Sequence, residues 1–202
     1  MLERLINNAY VSLMHPALQK QLEGRITLSA EQEQLVSSCY KPRQIKRGEI
    51  LLEKGSIARY LYFVVKGCLR VFLTKDDGSE WTRFLIFEDH FGTAFPSFVQ
   101  QKPSVAAIQS MEASELLMIS RQDSQMLMRE IPGWETMMRL GLEQDYIASI
   151  ERIESLITLD AKERYNILMQ TRPGLIQRLP GKIIADYLGI SQETLSRLKS
   201  KK

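Results

Sequence analysis

The pattern of apolar and polar residues changes twice along the chain, and each change predicts a different kind of element. Up to about residue 40 the pattern is helical, and Ser29 with Gln32 three residues later is typical of a capping box. From about residue 43, short apolar runs alternate with glycines. After Ser120 the spacing becomes helical again, and residues 126–130 belong to a short helix that ends near a Pro-Gly pair.

The middle of the chain predicts six to eight short strands. Asp77-Gly78 between two apolar runs is the dipeptide typical of a tight hairpin turn. The predicted strands cover residues 50–52, 60–65, 68–73, 81–87, 104–108 and 115–119. Strands of this length and spacing predict an antiparallel sandwich or jelly roll.

A single long helix is predicted from Trp134 to about Ile157, a segment without proline. Apolar residues recur there in steps of four and three and form one stripe. The stripe consists of Met138, Leu142, Tyr146, Ile150, Ile153 and Ile157, and it is widened by Met137, Leu140, Ile147 and Leu156. So broad a stripe needs two packing partners: the sandwich on one side and a second copy of the helix on the other. A long core helix in a monomer is the alternative.

The last 45 residues predict three further helices. Asp160 with Glu163 is a candidate capping box for the first, and residues 172–174 form a loop.

The last two predicted helices follow the layout of a helix-turn-helix, whose second helix enters the DNA major groove. Gly189 lies at the turn, where a positive φ is expected, and Ser191 is a suitable N-cap. Small or apolar residues suited to its core are Ile184, Ala185, Leu188, Ile190, Leu195 and Leu198. A generic helical hairpin is the alternative.

The front of the last helix carries side chains that suit base edges. Arginine can bond guanine bidentately, glutamine can bond adenine, and glutamate can accept from cytosine N4. The candidate base contacts are Gln192, Glu193, Thr194 and Arg197. The candidate phosphate contacts are Ser191, Ser196, Lys199, Lys201 and Lys202.

The distribution of charge supports a nucleic-acid contact at this end. Residues 158–202 contain nine Lys/Arg and four Asp/Glu, a net charge of +5; because the whole chain carries +3, the remainder carries −2. No apolar run approaches the roughly 20 residues that span a bilayer, and the N-terminus lacks a signal pattern. A cytoplasmic protein without membrane contact is therefore expected.

Metal and redox chemistry find little support in the sequence. Cys39 and Cys68 are expected to be reduced and packed, and two thiols are too few for a four-thiolate iron–sulfur cluster within one chain. His15 and His90 form no spaced ligand pair. No metal or cofactor is expected.

The order of these parts resembles the family of the cyclic AMP receptor protein and the Fnr-type transcription regulators, the Crp/Fnr family, over nearly the whole chain. Residues 46–49, 53–55, 62–67, 77–78 and 90–92 are similar to that family's glycine-punctuated β-roll. Residues 191–197 are similar to its recognition helix, in which a Glu and an Arg at the positions of Glu193 and Arg197 commonly contact bases. The end of the chain soon after this helix is similar to a subgroup from Bacteroidetes-like bacteria.

The resemblance implies an α+β fold: an N-terminal antiparallel β-roll of the cyclic-nucleotide-binding type, a long dimerisation helix and a C-terminal helix-turn-helix. The corresponding domains are 1–133, 134–157 and 158–202. It implies a homodimeric, sequence-specific transcription regulator whose partners are double-stranded DNA and a second copy of the chain. RNA polymerase is a further candidate partner.

The sequence departs from the family where cyclic AMP would bind. Members that bind it have a Glu directly after the glycine that Gly92 matches, and an Arg-Ser pair further on. Here Thr93 follows Gly92, and the later segment is Lys102-Pro103-Ser104. Pro103 lacks a backbone N–H, and Lys102 lacks the bidentate geometry of arginine. We therefore expect no cyclic nucleotide. Gly92, Thr93, Lys102 and Ser104 are the candidate pocket for a different small-molecule effector, if the chain has one.

Two other functions compete with DNA-binding regulation. The first is a ligand-binding or protein-interaction module that does not bind DNA; it predicts no salt-dependent DNA binding. The second is an enzyme with a cupin-like β-roll, which needs a His-x-His cluster with a carboxylate. The two histidines are isolated in the sequence, so no enzymatic activity is expected.

Overall fold

The structure is a computed structural model and describes residues 14–200. The strands are β1 (Tyr40–Ile45), β2 (Ile50–Leu52), β3 (Tyr60–Lys66), β4 (Leu69–Thr74), β5 (Glu80–Ile86), β6 (Phe91–Gly92), β7 (Ala106–Ser110) and β8 (Ser114–Ser120). They form two four-stranded antiparallel sheets with the orders β1-β8-β3-β6 and β2-β7-β4-β5.

Helices precede, interrupt and follow the strands. They are α1 (Pro16–Leu22), α2 (Ala30–Cys39), α3 (Phe95–Gln100), α4 (Arg121–Glu130), α5 (Trp134–Thr158), α6 (Ala161–Thr171), α7 (Leu175–Arg178), α8 (Gly181–Leu188) and α9 (Gln192–Ser200). The predicted α+β fold with an N-terminal β-roll and C-terminal helices is confirmed. No helix among residues 14–200 combines the length and the hydropathy needed to cross a membrane.

The core of the β-roll lies between the two sheets. Its most deeply buried side chains come from both of them, among them Phe63, Leu69, Ile108 and Leu116. Burying each of these side chains contributes about 1.5–3 kcal/mol. The predicted hairpin joins β4 to β5, where Thr74 pairs with Glu80 across the turn.

Several predicted boundaries near the β-roll were wrong. The first strand, β1, begins at Tyr40, where the predicted helical segment ends; it was not among the predicted strands, and it forms although Pro42 cannot donate a ladder hydrogen bond. Because β1 is an edge strand, this missing donor is tolerated. The strand predicted over 104–108 is shifted, since β7 covers Ala106–Ser110.

Two short helices begin where local features allow it. Helix α3 was not predicted, and it begins at Phe95-Pro96. Proline is accepted in a first helical turn because the backbone N–H groups of that turn have no acceptor within the helix, so the N–H that proline lacks is not needed. Helix α4 contains residues 126–130, as predicted, and its start, which the sequence left open, lies at Arg121. Ser120 caps it by accepting from the Asp123 N–H at 3.0 Å, and the polar first turn concealed its helical pattern.

Helices α2 and α5 match their predictions closely. Ser29 and Gln32 form the predicted capping box. The long helix runs to Thr158, one residue beyond its predicted end, and only its first turn is buried against the β-roll, through Trp134 and Met137. The sandwich therefore covers much less of α5 than its apolar stripe led us to expect.

Candidate nucleic-acid interface

The turn between α8 and α9 has the backbone that its glycine predicts. Gly189 ends α8 with φ +65°, and its N–H bonds to carbonyls in the last turn of the helix. The N–H of Ile190 bonds to the Ala185 carbonyl at 3.0 Å. This pattern of backbone bonds, with a left-handed glycine after the helix, is a Schellman-type ending. It turns the chain sharply into α9.

The helix-turn-helix unit, residues 161–200, is built around a small apolar core that also includes side chains of the β-roll. The predicted capping box at Asp160 and Glu163 opens α6. Ile184, Leu188 and Leu195 are buried, while Ile190 and Leu198 are partly buried against them. Because these side chains fix one side of α9, the opposite side is held outward.

The recognition face, defined as Gln192, Glu193 and Arg197, lies on that outward side and is exposed. Ser191 caps the helix by accepting from the Thr194 N–H at 3.2 Å. Thr194 is half-buried, and its hydroxyl lies 3.4 Å from an Arg197 guanidinium nitrogen. Thr194 therefore supports the recognition face as well as bordering it.

Glu193 is held in its ionised form. Its own backbone N–H and the Ser191 hydroxyl lower the pKa of the carboxyl, and the positive charge of Arg197 acts in the same direction. A carboxylate accepts hydrogen bonds only, while a guanidinium donates only. The recognition face thus carries a fixed acceptor and a fixed donor four residues apart.

The predicted phosphate contacts fall into two groups. Ser191, Ser196 and Lys199 are exposed around α9. Lys201 and Lys202 lie outside the described residues. The positive end of the α9 dipole lies beside Ser191, which is a position that favours an anion.

Sequence reasoning missed the contacts that join the helix-turn-helix unit to the β-roll. Arg70 on β4 is 2% exposed and donates to Asp186 on α8 at 3.1 Å. Arg178 on α7 forms ion pairs with Glu88 and Glu112 of the β-roll. The available signal was Arg70 itself, because a charged residue inside an apolar strand implies a buried partner.

The long helix also contacts the unit. The Arg152 guanidinium lies 3.9 Å from the centre of the Tyr187 ring. A side chain at Gly189 would meet Leu156, since an added Cβ would lie 3.0 Å from Leu156 Cδ2. One side of α5 therefore contacts the helix-turn-helix unit of the same chain.

The apolar stripe on α5 is largely exposed within one chain. Tyr146 is 68% and Ile157 is 77% exposed, and Leu142, Ile150 and Ile153 are exposed as well. Near the start of this stripe, Leu142 and Tyr146 line a depression of about 350 Å³ together with residues of α4 and α5.

Residues of the candidate effector pocket pack against or bond to neighbouring residues of the β-roll. Gly92 faces Ile86, whose Cδ1 would lie only 2.1 Å from an added Cβ. The Thr93 hydroxyl donates to the Tyr60 carbonyl at 2.8 Å. Both polar and apolar neighbours thus occupy this end of the predicted pocket.

At the other end of the predicted pocket, polar groups also form hydrogen bonds with neighbouring residues. The Ser104 hydroxyl is buried and donates to the Ala106 carbonyl at 2.7 Å. Lys102 is exposed, and its carbonyl accepts from Ser97 at 2.6 Å. Across residues 14–200, no group of three or more His, Cys, Asp or Glu side chains is placed to hold a metal ion.

Comparison with known proteins agrees with this architecture. A model of the cyclic nucleotide-binding domain matches residues 42–130. The cyclic AMP receptor protein of Thermus thermophilus is 27% identical over 175 residues, which cover 85% of this chain and 81% of that protein.

Solved structures show the same fold. The Thermus thermophilus catabolite activator protein is 25% identical, with a TM-score of 0.55 over 90% of this chain and 85% of its own. A protein from Eubacterium rectale assigned to the Crp/Fnr family is 18% identical, with a TM-score of 0.67 over 93% of this chain and 86% of its own. At 18% identity the likeness concerns the fold alone.

The fold and these matches define a protein that joins a β-roll of the cyclic-nucleotide-binding type to a C-terminal helix-turn-helix unit. Within that class, the predicted resemblance to the Crp/Fnr family is confirmed, since residues 42–130 match the cyclic nucleotide-binding domain and most of the chain is similar to the cyclic AMP receptor protein of Thermus thermophilus. Its placement in a Bacteroidetes-like subgroup stays a prediction.

Proposed function

We propose that the protein is a sequence-specific DNA-binding transcription regulator that acts as a homodimer in the cytoplasm. The observation that carries this proposal is the recognition face, exposed on a capped helix whose other side is buried. A solvated surface helix needs no such combination of a tight glycine turn, an N-cap and a fixed donor–acceptor pair. RNA polymerase is a further candidate partner.

Base recognition would use the two charged groups in different ways. Arg197 can donate two parallel bonds to guanine, whereas the ionised Glu193 can accept from cytosine N4. Gln192 at the first position of α9 can bond adenine bidentately. Ser191, Ser196 and Lys199 would contact phosphates, which orient the helix without carrying sequence information.

Dimerisation would bury the exposed stripe of α5. An apolar face that is open over several turns is unusual on a monomeric surface and is typical of an interface. The stripe repeats with helical spacing, so a second α5 can pack along it. A two-fold dimer would place the two recognition faces about one DNA turn apart, roughly 34 Å, and would require an approximately palindromic operator.

We infer that the β-roll does not bind cyclic AMP. Thr93 brings no charge, and its hydroxyl is bonded to the Tyr60 carbonyl. Pro103 offers no backbone donor, and Ser104 bonds within its own turn. Titration of the purified protein with cyclic AMP by calorimetry tests this inference, and saturable binding would contradict it.

The DNA-binding proposal is tested by selecting bound fragments from random and genomic DNA and then comparing two variants. Arg197→Ala should cost about 1–3 kcal/mol on the selected sequence and relax preference at one base position. Lys199→Ala is the matched control: it should weaken all sequences alike and reduce the salt slope by about 1. Equal weakening of selected and random DNA by Arg197→Ala would contradict base recognition. An absence of salt-dependent binding would favour the ligand-binding or protein-interaction module.

A further inference from the structure

We propose that Arg70, Asp186 and Arg178 are positioning residues that fix the helix-turn-helix unit on the β-roll and thereby set where the recognition face is presented. The inference rests on the proposed function. The β-roll surface, in addition to the long helix, then orients the helix-turn-helix unit.

The first ion-pair cluster surrounds Arg70 at the β4–β5 hairpin. Its guanidinium donates to Thr82 Oγ1 at 2.7 Å, to Glu80 Oε2 at 2.7 Å and to Asp186 Oδ2 at 3.1 Å. The backbone N–H of Thr82 donates to the same Asp186 oxygen at 2.6 Å. The Asp186 carboxylate of α8 is therefore bonded by the Arg70 side chain of β4 and by the backbone and hydroxyl of Thr82 on β5.

The second ion-pair cluster surrounds Arg178 on α7. Its guanidinium bonds Glu88 at 2.6 Å and also bonds Glu112 and the Gly67 carbonyl. Burial would raise the pKa of Glu88, but the hydrogen bond from Arg178 and its charge lower it overall. The two clusters attach the unit to the β-roll at separate places, and two attachments prevent rotation about either one.

An apolar contact lies with these two clusters. Cys68, Phe87 and Met111 of the β-roll belong to the same buried cluster as Leu175 and Leu179 of the unit. Apolar burial holds the two parts together but has little directional preference. Hydrogen-bonded ion pairs have strict geometry, so they are the contacts that can select one orientation.

The recognition face stays exposed while these contacts are made. The attachment therefore presents the face and does not cover it. In a dimer, the distance between two such faces depends on how each unit is held on its own β-roll. A loosened unit should bind half-sites over a wider range of spacings and should lose its preference for one of them.

The first test measures the attachment without DNA. Spin labels on Gln44→Cys of β1 and Asn166→Cys of α6, both exposed positions, report the distance between the β-roll and the unit. The native thiols of Cys39 and Cys68 are buried. Labelled chain is mixed with excess unlabelled chain, so that distances within one chain dominate. Wild type should show one narrow distribution of label-to-label distances, and the Asp186→Asn, Arg178→Gln double variant should show a broad one.

The matched control is the Asp76→Asn, Arg47→Gln double variant, which removes the same charges from exposed positions. It should keep the narrow distance. Circular dichroism verifies that every variant is folded. The proposal would be overturned if the Asp186→Asn, Arg178→Gln variant kept the narrow distance distribution of wild type. Equal broadening of the distribution in the control variant would also overturn it.

The second test uses operators whose half-site spacing is changed one base pair at a time. Wild type and the control should favour one spacing, whereas the Asp186→Asn, Arg178→Gln variant should bind several spacings with similar affinity. Retention of the wild-type spacing preference in that variant would overturn the positioning role. If wild type binds no DNA, the proposed function fails, while the distance measurement still decides whether the two clusters hold the unit.

Discussion

Gly189 shows how one residue determines the geometry of the candidate interface. Its positive φ is costly for any residue with a Cβ, and the space around it is limited by Leu156. The sequence alone predicted the conformation, because a glycine between two amphipathic helices is typical of a left-handed helix ending. The contact with Leu156 was not predictable, since it joins residues from different helices.

Gly189→Ala should therefore lower the free energy of unfolding by about 1 kcal/mol or more. Gly174→Ala is the control, because Gly174 has a negative φ and open space around it. This change should alter stability by no more than about 0.5 kcal/mol. Urea unfolding of the full chain measures both, and equal effects would contradict the role of the left-handed turn.

At the scale of elements, α5 was the most accurately predicted part of the chain. Periodicity over 25 residues specifies a helix strongly. Short elements were predicted less well: α3 has six residues, and β1 contains a proline that only its edge position permits. Whether a short segment becomes a helix or a strand depends on neighbours that are distant in sequence.

The apolar stripe on α5 predicts that a charge placed within it weakens dimerisation. Ile153→Glu places a charge in the proposed interface and should raise the dimer dissociation constant by at least about tenfold. Ile167→Glu is the control, because Ile167 is similarly exposed but lies on α6, outside the stripe. Sedimentation equilibrium measures the dissociation constant. Equal weakening by both changes would show that the stripe is not the dimer contact.

At the scale of the whole molecule, the β-roll and the helix-turn-helix unit form one connected structure. Their contact depends in part on ionised Glu88 beside Arg178. Because the folded-state pKa of Glu88 lies below its ordinary value of 4.5, its stabilisation is present above that value and is lost as the pH falls through the folded pKa. Arg172, Cys68 and Glu112 are the other titratable groups near this cluster.

Acidification to below about pH 4.5 should therefore broaden the distance between the β-roll and the unit. In Glu88→Gln, part of this broadening should already be present at neutral pH, and the further change on acidification should be smaller. Spin labels at positions 44 and 166 measure the distance in both chains. Identical pH profiles for wild type and Glu88→Gln would show that Glu88 does not control the contact.

The sequence by itself determined the order of the parts, the long helix, the hairpin at Asp77-Gly78 and the turn at Gly189. These features depend on periodicity and on local backbone preferences, which a linear pattern records. The family resemblance and the candidate recognition face also came from the sequence, since the residues of that face lie within one short helix.

Only the tertiary structure showed that Arg70 meets Asp186 and that Arg178 meets Glu88 and Glu112. Arg70 and Asp186 are 116 positions apart, and Arg178 and Glu88 are 90 apart. No periodic pattern relates residues at such separations. Their meeting depends on how the sheets and helices pack, and this packing places the recognition face relative to the β-roll.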